Sequence, residues 1–387
     1  MRTIRKAVLL LSMLAAGCTT LTGCWDEVDL SDQGYVSALG IDLVEGQYVI
    51  YAQLIQFSAV AKTREPGTST DSIWVGQGKG RTLIYALGNL QQTSQFSINL
   101  EHMKVLIIHK RALGRIEDIL DANNRQRASR YTSLVFATGE PLLALFNTGT
   151  FFGRSPLLSI MYNPGIQYEQ SSLVRPMTMQ QFVQKIFEPA STALLPSLKI
   201  DSASWHVSKS PMDVQTYEGV VPYYNKKPGS FMSVQELDGY RWIDPKFNQY
   251  YVYAGDEESG GDGKGNGLAT VNIKDSKPRV RLLRGGARPK FRLEVKLRGH
   301  LVELAGQMTE TEIQRDIERK IKANIEQTYR IGCEKKVDIM ELEEHLYRDH
   351  NRLWKRIRAN GGLSLEPDQL EVKVEFNLAH SGKFDLS

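Results

Sequence analysis

Phe291-Arg292-Leu293-Glu294-Val295-Lys296-Leu297-Arg298 alternates apolar and charged residues without a break. Successive side chains of a strand point to opposite faces, so this octet predicts a strand with one face in a core and the other in water. Downstream, Thr309 and Glu312 have the spacing of a capping box, and Ile313, Ile317, Ile321 and Ile325 recur at helical intervals. A second helix is predicted over about 337–359, presenting Leu342, Leu346, Leu353 and Ile357, with Gly361-Gly362 ending it. Leu370, Val372, Val374, Phe376 and Leu378 then alternate with polar residues as a final strand. Strand–helix–helix–strand in that order predicts an α+β unit whose helices cover one sheet face.

Residues 256–267 are acidic and Gly-rich and read as a loop or linker, which sets a C-terminal domain at 268–387. Residues 214–224 and 241–253 read as strands around a polar turn at 225–229, a small β-rich middle region within 206–255. Leu194-Leu195-Pro196-Ser197-Leu198 reads as the approach to a new unit. Residues 24–205 read as an N-terminal α/β domain. Its runs 35–44 and 48–57 are joined by Glu45-Gly46, a length suited to a tight hairpin. The run 62–72, with Pro66 and Gly67, reads as an exposed loop, and 73–75 as a short strand. A helix from Thr82 places Leu83, Ala86, Leu87 and Leu90 on one face. A strand at 105–108, a helix at 113–122, a strand at 134–137 and a helix opened by Pro141 follow. The expected fold class is α/β (α+β), multi-domain, with sheets that are mixed because the chain starts on a hairpin.

The chain has 387 residues and a formal net charge of +4. Arg2, Arg5 and Lys6 supply three of those charges, and residues 1–23 contain no Asp or Glu, so the remainder carries +1. That near-neutrality argues against a nucleic-acid partner recruited by bulk charge. The basic start precedes an apolar run, 7–16, of about ten residues, whereas a spanning helix needs about 20. This order reads as an export signal, 1–23, that is removed. Leu21-Thr22-Gly23-Cys24 resembles the lipobox of bacterial lipoproteins, which implies a diacylglyceryl group on the Cys24 sulfur and an acyl chain, such as palmitate, on its nitrogen. Cys18 closes a poorer version, because Ala15 stands where Leu is favoured. Two acyl chains hold a protein stably on a bilayer and one does not. Cys333 is then left alone, without an intramolecular disulfide, as a small, partly buried residue rather than a nucleophile.

Motifs that would mark catalysis fall short. Gly76-Gln77-Gly78-Lys79-Gly80-Arg81-Thr82 lacks the third Gly of a dinucleotide fingerprint and the Gly-Lys-Ser/Thr of a P-loop, so it reads as a glycine turn with Thr82 capping the next helix. Asp262-Gly263-Lys264-Gly265-Asn266-Gly267 has Lys where a calcium loop needs a ligand. His345 and His350 are five apart, poorly placed for one metal on a helix face. No Gly-x-Ser-x-Gly or Ser-x-x-Lys nucleophile motif occurs. Neither catalytic residues nor a cofactor or metal are expected.

Gly23-Cys24-Trp25-Asp26, followed by Leu39-Gly40-Ile41-Asp42, resembles the Ger(x)C family, the C-subunit lipoproteins of bacterial spore-germination receptors. Gly80-Arg81-Thr82-Leu83 with Ala86-Leu87 is similar to that family's first helix start, and His102-Met103-Lys104-Val105 to its next strand. Asp338-Ile339, Leu346, Arg348, Trp354 and the final strand resemble its C-terminal domain. The chain departs from the pattern at 340–343, at Tyr347 where a His is common, and at 227–233, where the family's Gly-Trp turn is not evident. The resemblance implies a three-domain, non-enzymatic subunit, lipid-anchored to the outer face of the spore inner membrane. Its implied partners are the A and B membrane subunits of a germinant receptor responding to amino acids or sugars. The residues alone leave two alternatives open: a solute-binding lipoprotein and an envelope hydrolase.

Overall fold

The computed structural model describes residues 4–7, 33–54, 73–125, 131–255 and 267–379. Cys18, Cys24, the expected loop at 62–72 and nearly all of the expected linker, 256–266, lie outside the described residues, as does most of the expected export signal.

The first sheet begins with β1 (Gln33–Val44) and β2 (Gln47–Leu54), an antiparallel pair. Glu45 and Gly46 both have positive φ (52° and 74°), the geometry that lets a two-residue turn follow strand twist. The third strand, β3 (Trp74–Gly80), lies on the far side of β2. The glycine run therefore belongs to a strand instead of the expected turn. Helix α1 (Leu83–Gln91) packs directly on it: a Cβ at Gly78 would stand 2.2 Å from the Ala86 carbonyl oxygen. The expected cap is present, with Thr82 Oγ1 accepting from Tyr85 N–H at 3.2 Å. Short β4 (Ser97–Asn99) and then β5 (Val105–His109) run parallel to β1. Helix α2 (Ile116–Arg125), β6 (Leu134–Thr138), α3 (Leu142–Phe146), α4 (Gly165–Ser171) and α5 (Met179–Phe187) follow.

Strand β7 (Thr192–Asp201) pairs parallel to β6 and extends this same sheet; Leu194–Leu198 does not open a new unit. Beyond it are the ribbon β8 (His206–Val207) and β9 (Ser210–Pro211), then β10 (Val214–Tyr224), antiparallel to β7, with β11 (Lys227–Pro228) and β12 (Met232–Ser233) on its edge. The sheet order is β11-β10-β7-β6-β5-β1-β2-β3, mixed as expected. One face is covered by α1, α2 and α5 over Ile50, Leu106, Ile108 and Val135.

The second sheet runs β13-β14-β15-β16, built from β13 (Tyr250–Ala254), β14 (Leu268–Arg284), β15 (Lys290–Ala305) and β16 (Leu370–Ala379). The expected strand at 241–253 is shorter, because Tyr240–Ile243 forms a 3-10 turn that buries Trp242. The span 206–255 thus contributes strands to both sheets. Helix α6 (Glu310–Lys335) has the full capping box between Thr309 and Glu312, and the four isoleucines of its repeat, Ile313, Ile317, Ile321 and Ile325, are fully buried against the second sheet. Each contributes about 1.5–3 kcal/mol of apolar burial, which fixes the helix face. The predicted helix at 337–359 is two helices, α7 (Leu342–Asp349) and α8 (Asn351–Ala359), broken at His350, whose φ of −132° and ψ of 46° are not helical. Gly361 and Gly362, at φ 104° and 91°, end α8. One apolar core runs from Phe136 and Phe146 under the first sheet through Trp242 to Phe291 and Ile321 under the second. No described helix is long and apolar enough to cross a membrane.

Candidate functional site at the junction of the two sheets

Helix α7 is where charged side chains of the two halves meet. Lys185, on α5, places Nζ 2.5 Å from Glu341 Oε1 and 3.2 Å from Glu344 Oε2. Ser191 Oγ donates to the same Glu344 oxygen at 3.2 Å, and Arg348 bridges Glu344 (2.6 Å) to Glu188 (3.1 Å) of the first half. Burial alone would depress the Lys185 ammonium, but Glu341 and Glu344 outweigh it and raise its pKa. The Glu341 pKa is raised as well: burial pushes its carboxyl up despite Lys185.

Within the same first turn of α7, buried Glu343 accepts from Tyr224 Oη (2.9 Å) and Trp354 Nε1 (3.1 Å). Both oxygens of this carboxylate are thereby used, which is what a buried acid requires. Asp338 accepts from the N–H groups of Leu342 (3.0 Å) and Glu343 (2.7 Å), tying down the first turn of α7. Burial pushes its carboxyl up to about 7, against those two hydrogen bonds and helped by the charges of Glu343 and Glu341.

Beside the network opens a cleft of about 990 Å³, lined by Tyr224, Lys227, Cys333, Asp338, Glu343 and Arg358 among others. Cys333 is half-buried, and burial pushes its thiol up, so at neutral pH it is the thiol and not the nucleophilic thiolate. His345 and His350 bring their rings to 5.6 Å, with His345 Nδ1 2.9 Å from Asp349. Among the described residues no group of three or more His, Cys, Asp or Glu is placed to hold a metal.

A second buried carboxylate lies at the C-terminal ends of parallel β1 and β5. Asp42 is held by Arg111, through Nε at 2.9 Å and through Nη2, and by Leu43 N–H at 2.7 Å. Burial opposes ionisation there, but the Arg111 bond and the charges of His109 and Arg111 prevail, lowering its pKa. Burial lowers the pKa of His109, whose Nδ1 accepts from Arg111 N–H at 3.2 Å. Asp42 belongs to the Leu39–Asp42 motif; His109 and Arg111 carry no motif, and only the pairing of β1 with β5 brings them to it. Both clusters satisfy their charges internally. Their chemistry is that of joints: they position elements.

Residues 26–200 match the family described as "Spore germination protein N-terminal domain", and residues 225–382 the family "Spore germination B3/GerAC like, C-terminal". Over 199 residues, half of each chain, the protein is 25% identical to "Putative spore germination protein YfkR" of Bacillus subtilis (strain 168). Over 398 residues, 99% of each chain, it is 19% identical to "Spore germination protein B3" of the same organism. Its fold is similar to the crystal structure of the GerBC protein, with a TM-score of 0.54 at 14% identity, covering 88% of this chain and 97% of that one.

Proposed function

Because this chain belongs to the Ger(x)C family of spore germination proteins, we propose that it is the lipid-anchored C subunit of a germinant receptor. In this reading Cys24 carries the acyl chains and holds the protein on the outer face of the spore inner membrane. The A and B membrane subunits are its partners, and its role is assembly and signalling without catalysis. The observation that supports it most is the match of both family patterns in order along the chain, following the lipobox residues 21–24. The α7 network supports a coupling role, since it ties the first half to the second through groups that respond to charge.

The test is Cys24→Ala. The variant is expected to lose acylation and membrane retention and to impair the germination response to nutrients, whereas Cys18→Ala leaves all three intact. Normal retention and normal germination in Cys24→Ala would refute the anchored-subunit reading. The cleft of about 990 Å³ favours one second reading, capture of a small solute; calorimetric titration with candidate germinants would then show saturable binding.

A further inference from the structure

Strand register gives the second sheet two unlike faces. Phe291, Leu293, Val295 and Leu297 point into the core beneath α6. The alternate positions of β14, β15 and β16 point away from it and have no element packed over them among the described residues. Four rungs of that outer face carry seven basic side chains against four acidic ones. Two rungs set like charges directly opposite: Arg281 faces Arg292, and Lys277 faces Lys296. Such cross-strand pairs are unfavourable on a free sheet. The four acids are already engaged, Glu294 with Arg281, Glu371 with Arg292, Glu375 with both Lys296 and Lys373, and Asp275 with Lys277. Arg279 and Arg298 are left without a carboxylate partner among the described residues. At the hairpin tip, Arg284 and Lys290 add two more unbridged cations beside Leu283, which is 42% exposed.

This excess exceeds the charge of the whole chain after residue 23, so the positive charge is concentrated here and the remainder is net acidic. The surface is polar and long; the β14–β15 pairing runs from Leu268 to Arg284. Its charges are spread along a row of rungs rather than converging on one point, which matches an extended anionic plane.

We propose that the outer face of the second sheet is a docking surface for the anionic phospholipid headgroups of a membrane. It would act as a second, electrostatic contact that does not depend on acylation of Cys24. Each basic side chain near such a surface strengthens binding by about fivefold, and added salt screens the attraction.

The test uses the full chain with Cys24→Ser, so that no acyl chain contributes, and vesicles of phosphatidylcholine with or without phosphatidylglycerol. Binding to the anionic vesicles is expected to exceed binding to the neutral ones and to fall steeply with salt. Combined Arg279→Ser, Arg281→Ser and Arg298→Ser should weaken anionic binding by about 100-fold, following the fivefold per side chain. The same charge change on the exposed side of α6, Arg315→Ser with Lys322→Ser and Arg330→Ser, should weaken it far less. Circular dichroism melting confirms that each variant is folded. Equal binding to neutral vesicles, or equal losses from the two triple variants, would overturn the proposal. So would binding to an acidic polypeptide without binding to vesicles, which would assign the face to a protein partner. Failure of the Cys24→Ala germination test alone would leave these vesicle results unchanged, so the two readings fail separately.

Discussion

Tyr224 Oη donates to Glu343 Oε2 at 2.9 Å, joining the edge of the first sheet to the helix that closes the second. Glu343 is only 6% exposed, so water reaching it from the cleft replaces a lost donor poorly. Tyr224→Phe is expected to destabilise the protein by about 1–3 kcal/mol, the cost of leaving a buried acceptor unsatisfied. Adding Glu343→Gln should cost less than the two single changes summed, since both act on one bond. Urea unfolding of the four proteins measures this; full additivity would show that the bond does not couple the halves.

Lys185 contacts two carboxylates that lie 156 and 159 residues away in sequence. Its side chain is 30% exposed, so the pair is neither a surface bridge nor a fully buried one. Lys185→Met should cost about 2 kcal/mol, between the values typical of those two classes. The loss should be local: amide exchange in α7 accelerates while that in β5 keeps its rate. Uniform acceleration throughout the chain would assign Lys185 to general stability.

Asp338 makes stability depend on pH in the direction opposite to an ordinary ion-paired acid. Its folded pKa of about 7 lies above the reference value of 3.8, so the folded state holds the proton more tightly than the unfolded one. This contribution is fully present below pH 4, is lost as pH rises to about 7, and is flat beyond. Its size is at most about 4 kcal/mol, reduced by solvent reaching the cleft. Asp338→Asn cannot ionise yet keeps an oxygen to cap α7, so it should flatten the decline between pH 5 and pH 7. Denaturant midpoints at four pH values check this; an unchanged slope would assign the dependence elsewhere.

Periodic features of the fold were legible in the sequence, because burying one face imposes a period: the alternation at 291–298 and the isoleucine repeat of α6 are both found where expected. Strand β14 was not, since its inward positions include Ser276 and Pro278 and its register shifts between Ile273 and Asp275. The break at His350 was hidden because apolar spacing continues across it, from Leu346 to Trp354 and Ile357. The α7 network left no local signal, because its partners come from chain segments far apart. Net charge concealed the basic sheet face by averaging it with acidic regions elsewhere. Family resemblance supplied what periodicity could not, the function class.

The glycine run of β3 is the clearest case of a motif whose meaning only packing reveals, and it yields a paired test. At Gly78 an added Cβ would meet the backbone of Ala86 at 2.2 Å and Leu90 Cβ at 2.9 Å. Backbone cannot rotate aside as a side chain can, so α1 would have to lift off the strand. Gly78→Ala is therefore expected to destabilise by about 3 kcal/mol or more, the upper range for overpacking. Gly88, within α1 itself, has nothing within 4 Å of its added Cβ. There the same substitution should stabilise by about 0.5–1 kcal/mol through helix propensity. Thermal melting of both variants reads the contrast. Equal, small effects at the two positions would mean that α1 does not rest on the glycines of β3, and that the run is a turn after all.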